Sequence, residues 1–158
     1  PVAGIFPLDG LAANLPSNVG GLICPVLQAR KDEVYCALYI NTAGGQERIS
    51  DYMAVEPGKL VSFLAGLGSS QITFLGDGLP MLPESTRDIL GERYTFAPEL
   101  LRLPRAATIG FLGLERLQKG SSDDIDALVP FYIKASAAED RMRENSILSK
   151  GESDDAQR

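Results

Sequence analysis

The chain has no histidine among its 158 residues, and that gap removes more chemistry than any residue present supplies. Without imidazole there is no serine–histidine or cysteine–histidine relay, no HxxxH or HExxH metal pair, and no side chain whose unperturbed pKa lies near neutrality. Catalysis would have to run on carboxylates, lysines or a bound metal. Long apolar runs are also missing. None reaches the ~18 residues of a spanning helix, and no basic start leads into a hydrophobic stretch and cleavage site, so a cytoplasmic protein away from the membrane is expected. Positive charge is in deficit as well: 15 Lys and Arg stand against 21 Asp and Glu, for a net charge of −6. Such a surface repels phosphate backbones, so no direct nucleic-acid binding is expected. Cysteine is scarce. Cys24 and Cys36 flank a midpoint at Arg30 and are expected as two reduced, buried thiols.

What is present is enough for one domain. A chain of this length buries roughly 68–70% of its unfolded surface, and a hydrophobic share of 44% is that of a globular protein. It opens at Pro1 with an abrupt strand-like run, residues 2–6, which is expected to be part of a longer protein.

Residues 7–15 read as a short helix with Leu8, Leu11, Ala12 and Leu15 on one side. Residues 22–29 and 34–40 are apolar on both alternating faces, as strands covered on both sides are. Pro25 lacks a ladder N–H and calls for a bulge or an unpaired flank. A turn over 41–46 leads to a third, more exposed strand over 48–55. Pro57 then opens a helix in which Leu60, Phe63, Leu64 and Leu67 recur at i, i+3, i+4 and i+7, with Gly68 as the stop. Residues 71–75 form a strand ending in Gly76-Asp77-Gly78, 80–90 a helix, 94–96 a strand, and 104–119 a helix with Ile109, Leu112 and Leu117 toward the core. Gly110 and Gly113 weaken that last helix, which calls for close approach of another backbone, within the lobe or on another subunit. Residues 130–134 read as extended. Residues 149–158 have no apolar side chain larger than that of Ala156 and are expected to be disordered. Three antiparallel strands followed by alternating helices and parallel strands make an α/β, ribonuclease-H-like lobe in the order βββαβαβα, with helices on both faces of a mixed sheet.

Three motifs fall on these elements in order: Gln28-Ala29-Arg30, Lys31-Asp32 and Glu33-Val34-Tyr35 at the first hairpin; Phe74-Leu75-Gly76-Asp77-Gly78 at a strand end; and Pro130-Phe131-Tyr132-Ile133-Lys134 near the end, followed by Ser136-Ala137-Ala138-Glu139. Together they resemble the second lobe of the TsaB (YeaZ) family, with Gln28 where the family usually carries Asp. The resemblance runs from about Val2 to Glu139. It implies the C-terminal lobe of an actin-like ATPase superfamily protein over residues 1–138 with a charged tail over 139–158, the family's glycine-rich first lobe being absent. It further implies a non-catalytic scaffold that supports a TsaD-like subunit in tRNA threonylcarbamoyladenosine synthesis, with a TsaE-like ATPase reached through the complex. Glycoprotease, or M22 peptidase homologue, is the family's older label.

On that basis no catalytic, cofactor or metal residues are assigned. Arg30, Glu33 and Tyr35 read either as a partner surface or as a solvated hairpin turn. Gly76, Asp77 and Gly78 read either as a nucleotide approach or as a tight strand-to-helix turn. Tyr132 is a family-motif position. Asp123, Asp124 and Asp126 could hold Mg²⁺ or Ca²⁺ but read as a solvated acidic turn, the segment lacking the glycine and terminal Glu of a calcium loop. The alternatives to a scaffold are an M22-type hydrolase and a nucleotide-binding ATPase lobe. A homodimer is left open.

Overall fold

The computed structural model describes residues 1–129 together with Ile133. The expected extended stretch at 130–134, apart from Ile133, and the expected disorder of the tail lie outside these residues. The folded core grows from strand β1 (Leu22–Gln28), in which alternate side chains serve two separate cores. Leu22, Cys24 and Val26 join helix α2 (Pro57–Gly66) and Leu90 of helix α3 (Thr86–Leu90) on one face. Ile23 joins Leu8, Leu11 and Ala12 of helix α1 (Pro7–Ala12) on the other, with Leu27 packed against that side. A strand apolar on both alternations is therefore covered on both faces.

β1 pairs antiparallel with β2 (Val34–Cys36) through Val26, Leu27 and Gln28, and with β3 (Tyr39–Thr42) through Ile23. Beyond them lie β4 (Gly45–Arg48), on β3, and β5 (Met53–Val55), on β2. On its other side β1 runs parallel to β6 (Ile72–Leu75), and β6 runs parallel to β7 (Tyr94–Phe96). The result is a mixed α/β architecture with an antiparallel section and helices on both faces.

Several expectations are revised, while the unpaired flank expected at Pro25 is found. The expected strands over 34–40 and 48–55 are each interrupted. The Leu38 N–H donates to Ser50 Oγ at 2.8 Å and the Ile49 N–H to the Leu38 carbonyl, so the ladder is locally diverted. Pro25 sits between the two sections of β1 that pair with β2 and β3, where a missing N–H costs nothing, while its other side registers with Leu75. The turn expected over 41–46 shrinks to the residues between Thr42 and Gly45. The helix expected over 80–90 is broken: a 3-10 turn at Leu79–Met81 precedes α3, and the Pro83 carbonyl accepts from both the N–H and the hydroxyl of Thr86. Pro80 and Pro83 cannot donate to a continuous helix. In α2 the core side consists of Leu60, Val61 and Leu64, whereas Phe63 and Leu67 stay exposed.

Helix α4 (Ala106–Gln118) lies outside the two-layer core, against α1. None of its residues is fully buried, and Ile109, Leu112 and Leu117 are half-buried. The close approach expected at Gly110 and Gly113 occurs instead at Gly10 of α1, where an added Cβ would stand 2.7 Å from Ile109 Cγ1. No described atom lies within 4 Å of where a Cβ at Gly110 would stand.

Candidate functional site

The hairpin between β1 and β2 is closed by the Ala29 N–H donating to the Glu33 carbonyl at 3.0 Å. Lys31 adopts φ 57°, a left-handed conformation that costs a non-glycine residue about 1 kcal/mol. Arg30, Lys31 and Asp32 are exposed at the tip, and Glu33 is half-buried. Tyr35 points elsewhere: it packs with Leu27 on the α1 side of the sheet.

The Gly76-Asp77-Gly78 turn lies directly beneath the base of this hairpin. Asp77 Oδ1 accepts the Gln28 N–H at 2.9 Å, and the Gly78 N–H donates to the Val26 carbonyl at 3.0 Å. Gly76 has φ 122°, and a Cβ there would stand 1.9 Å from the Val26 carbonyl oxygen. The glycines thus admit the backbone of β1, and Asp77 satisfies a main-chain donor of the same strand. Two of the three motifs are brought together in this way. The third is represented by Ile133, which lines a cavity of about 320 Å³ with Phe6, Pro7, Leu8, Leu27, Tyr35 and Tyr52. Tyr132 lies outside the described residues.

Two clusters escaped the sequence reading. Asp9 of α1 accepts from the hydroxyls of Tyr39 at 2.6 Å and Tyr52 at 2.7 Å, with the Arg48 guanidinium 4.2 Å from the centroid of the Tyr52 ring. Burial, and then the Asp9 carboxylate, push both tyrosines well above the ordinary phenol range. The second cluster is at Asp123, one of the three clustered carboxylates. It accepts the Gly4 N–H at 2.7 Å and is bracketed by both terminal nitrogens of Arg116, one of them at 2.9 Å. The Gly4 amide and the Arg116 charge hold its carboxyl below the usual range. Asp124 instead accepts from the Asp126 N–H. Among the described residues no three His, Cys, Asp or Glu side chains converge as a metal group would require. Cys24 and Cys36 are free and buried, and burial raises both thiols, Cys36 to about 12.

Comparison with known proteins follows this geometry. No family model matches the chain. Two solved structures from Pseudomonas aeruginosa share its fold. One is described as YeaZ and the other as a protein with similarity to peptidase YEAZ, each with a TM-score of 0.58, at 18% and 20% identity and over 79% and 80% of this chain. In sequence, the chain is 29% identical over 141 residues, 88% of its length, to the tRNA threonylcarbamoyladenosine biosynthesis protein TsaB of Bacillus subtilis (strain 168). The chain therefore resembles the TsaB (YeaZ) family in both sequence and fold. It spans 58% of that TsaB and 56% of each YeaZ structure. No helix among the described residues is long and apolar enough to cross a membrane.

Proposed function

We propose that this chain is the second, ribonuclease-H-like lobe of a TsaB-like protein, extending over residues 1–138, and that it acts as a non-catalytic scaffold for a TsaD-like subunit in tRNA threonylcarbamoyladenosine synthesis, with a TsaE-like ATPase in the same complex. The similarity to TsaB over 88% of the chain carries the reading. Two features add support. If β2 with β3, and β4 with β5, are each counted as one interrupted strand, the sheet has three antiparallel members, with β6 and β7 parallel to the first. Asp9, Asp77 and Asp123 each hold another part of the same lobe, which suits a body whose task is to keep its shape. The charge of −6 suits a subunit that leaves RNA to its partner in the cytoplasm. In this reading Arg30, at the hairpin tip, and the half-buried Glu33 that closes it form part of the partner-facing surface.

The test is a replacement. This chain is put in place of the matched segment of Bacillus subtilis TsaB, and formation of threonylcarbamoyladenosine is followed with TsaD, TsaE and tRNA. Product formation above the level without TsaB is expected. A folded replacement protein that neither supports product nor retains TsaD would overturn the proposal, as would peptide cleavage or ATP hydrolysis by the chain alone.

A further inference from the structure

The cavity beside the first hairpin is walled from three parts of the chain that are distant in sequence. Phe6, Pro7 and Leu8 come from the start of α1, Leu27 and Tyr35 from paired positions of β1 and β2, and Tyr52 from the stretch before β5. Its volume of about 320 Å³ falls at the lower end of the range of small-molecule sites. The walls are fixed from outside. The Phe6 and Tyr52 rings lie against each other with centroids 4.5 Å apart, Asp9 accepts from the Tyr52 hydroxyl at 2.7 Å, and Leu27 sits opposite Tyr35 in the hairpin register. Such a site is formed before a ligand arrives, which spares the ligand the cost of ordering it.

The chemistry of the walls limits what fits. No described residue lining the cavity carries a charge, so an ionised ligand would give up its hydration with no counter-charge in return. Phosphates, carboxylates and ammonium groups are disfavoured on that ground. What the walls offer is aromatic surface, against which a planar ring packs well. They also offer one hydroxyl. Tyr39 and Tyr52 both donate to Asp9, whereas the half-buried Tyr35 hydroxyl has no partner among the described residues. Size sets the last limit: an apolar cavity of about 150 Å³ takes one benzene ring, and this one has about twice that volume. We propose that the cavity binds a small neutral aromatic molecule of two fused rings, with one nitrogen or oxygen that hydrogen-bonds the Tyr35 hydroxyl. Because Leu27 and Tyr35 form the base of the hairpin that carries Arg30 and Glu33, the occupant also ties that hairpin to α1.

Indole is the probe. Equilibrium dialysis against the 158-residue chain is read from the fluorescence of indole itself, since the chain has no tryptophan. One saturable site is expected, with a Kd of about 1 mM or tighter for so small a ligand. Leu27→Phe puts a ring into the cavity and should weaken binding by about tenfold or more. Tyr35→Phe should weaken it by about fivefold, the worth of one hydrogen bond. Indole-3-acetate, the same ring with a carboxylate, should bind about tenfold more weakly than indole, or worse. If Leu27→Phe does not fold, the site is located in the unaltered chain by nuclear Overhauser contacts between bound indole and the methyl groups of Leu8 and Leu27. Uptake that never saturates, contacts confined to other residues, or full affinity in a folded Leu27→Phe variant would overturn the proposal. So would full affinity in Tyr35→Phe, or indole-3-acetate binding as tightly as indole.

Discussion

The floor of the first hairpin and the outer side of α4 are opposites. At the hairpin floor, Gly76, Gly78 and Asp77 lie against β1 so tightly that main chain touches main chain and a carboxylate satisfies a backbone N–H. On α4 a glycine faces no described atom within 4 Å, and Phe111 is 77% exposed. Both regions are rich in glycine, and the difference lies in what the missing side chain meets: the protein's own strand in one case, and no described atom in the other. Composition alone does not distinguish them.

Substitutions should separate the two regions by size of effect. Gly76→Ala combines a left-handed backbone with a collision against the Val26 carbonyl, and is expected to cost roughly 3–5 kcal/mol in denaturant unfolding or to prevent folding. A cost below 1 kcal/mol, the scale of Gly110→Ala, would erase the contrast. Asp9→Ala removes the acceptor of one buried tyrosine hydroxyl, that of Tyr39, and one half-buried, that of Tyr52, and should cost about 2–3 kcal/mol, again read by denaturant unfolding.

Alkaline pH should loosen the same interior. Tyr39, Tyr52, Cys24 and Cys36 all hold their protons more tightly folded than unfolded. Their contribution is therefore complete below the unfolded pKa values and is lost as pH rises past about 8.5 for the thiols and about 10 for the phenols. The unfolding temperature should fall over that window, and Tyr39→Phe should flatten the fall. Asp123 acts with the opposite sign: its depressed pKa gives a contribution that is present above the usual carboxylate range and lost as pH falls. The smallest effect is expected at the hairpin tip, where Lys31→Gly relieves a left-handed backbone and should raise stability by about 0.5–1 kcal/mol in the same denaturant assay.

Much of the frame could be read from local pattern. Pro57 opens α2 as a first-turn proline should, and the double-faced apolar run of β1 correctly signalled cover on both sides. The same periodicity placed Phe63 and Leu67 in the core where Val61 belongs, because neighbouring stripes of a short apolar helix differ by a rotation that spacing does not resolve. The broken helix over 80–90 was legible in Pro80 and Pro83, whose missing donors outweigh the leucine spacing. The Asp9 cluster was not legible. It joins residues 30 and 43 positions apart, and nothing local marks a carboxylate that will meet two tyrosines. Asp123 was misread for the same reason: its neighbours in sequence are acidic, while its partners in space are Gly4 and Arg116.

The central claim is that the chain supports its partner's chemistry by holding it, without taking part. The most direct test follows retained TsaD and threonylcarbamoyladenosine formed, side by side, as Arg30 and Glu33 are changed to alanine in the replacement protein. Product should fall only in proportion to the TsaD retained. Loss of product with TsaD fully retained would place a working group in this lobe and contradict the account.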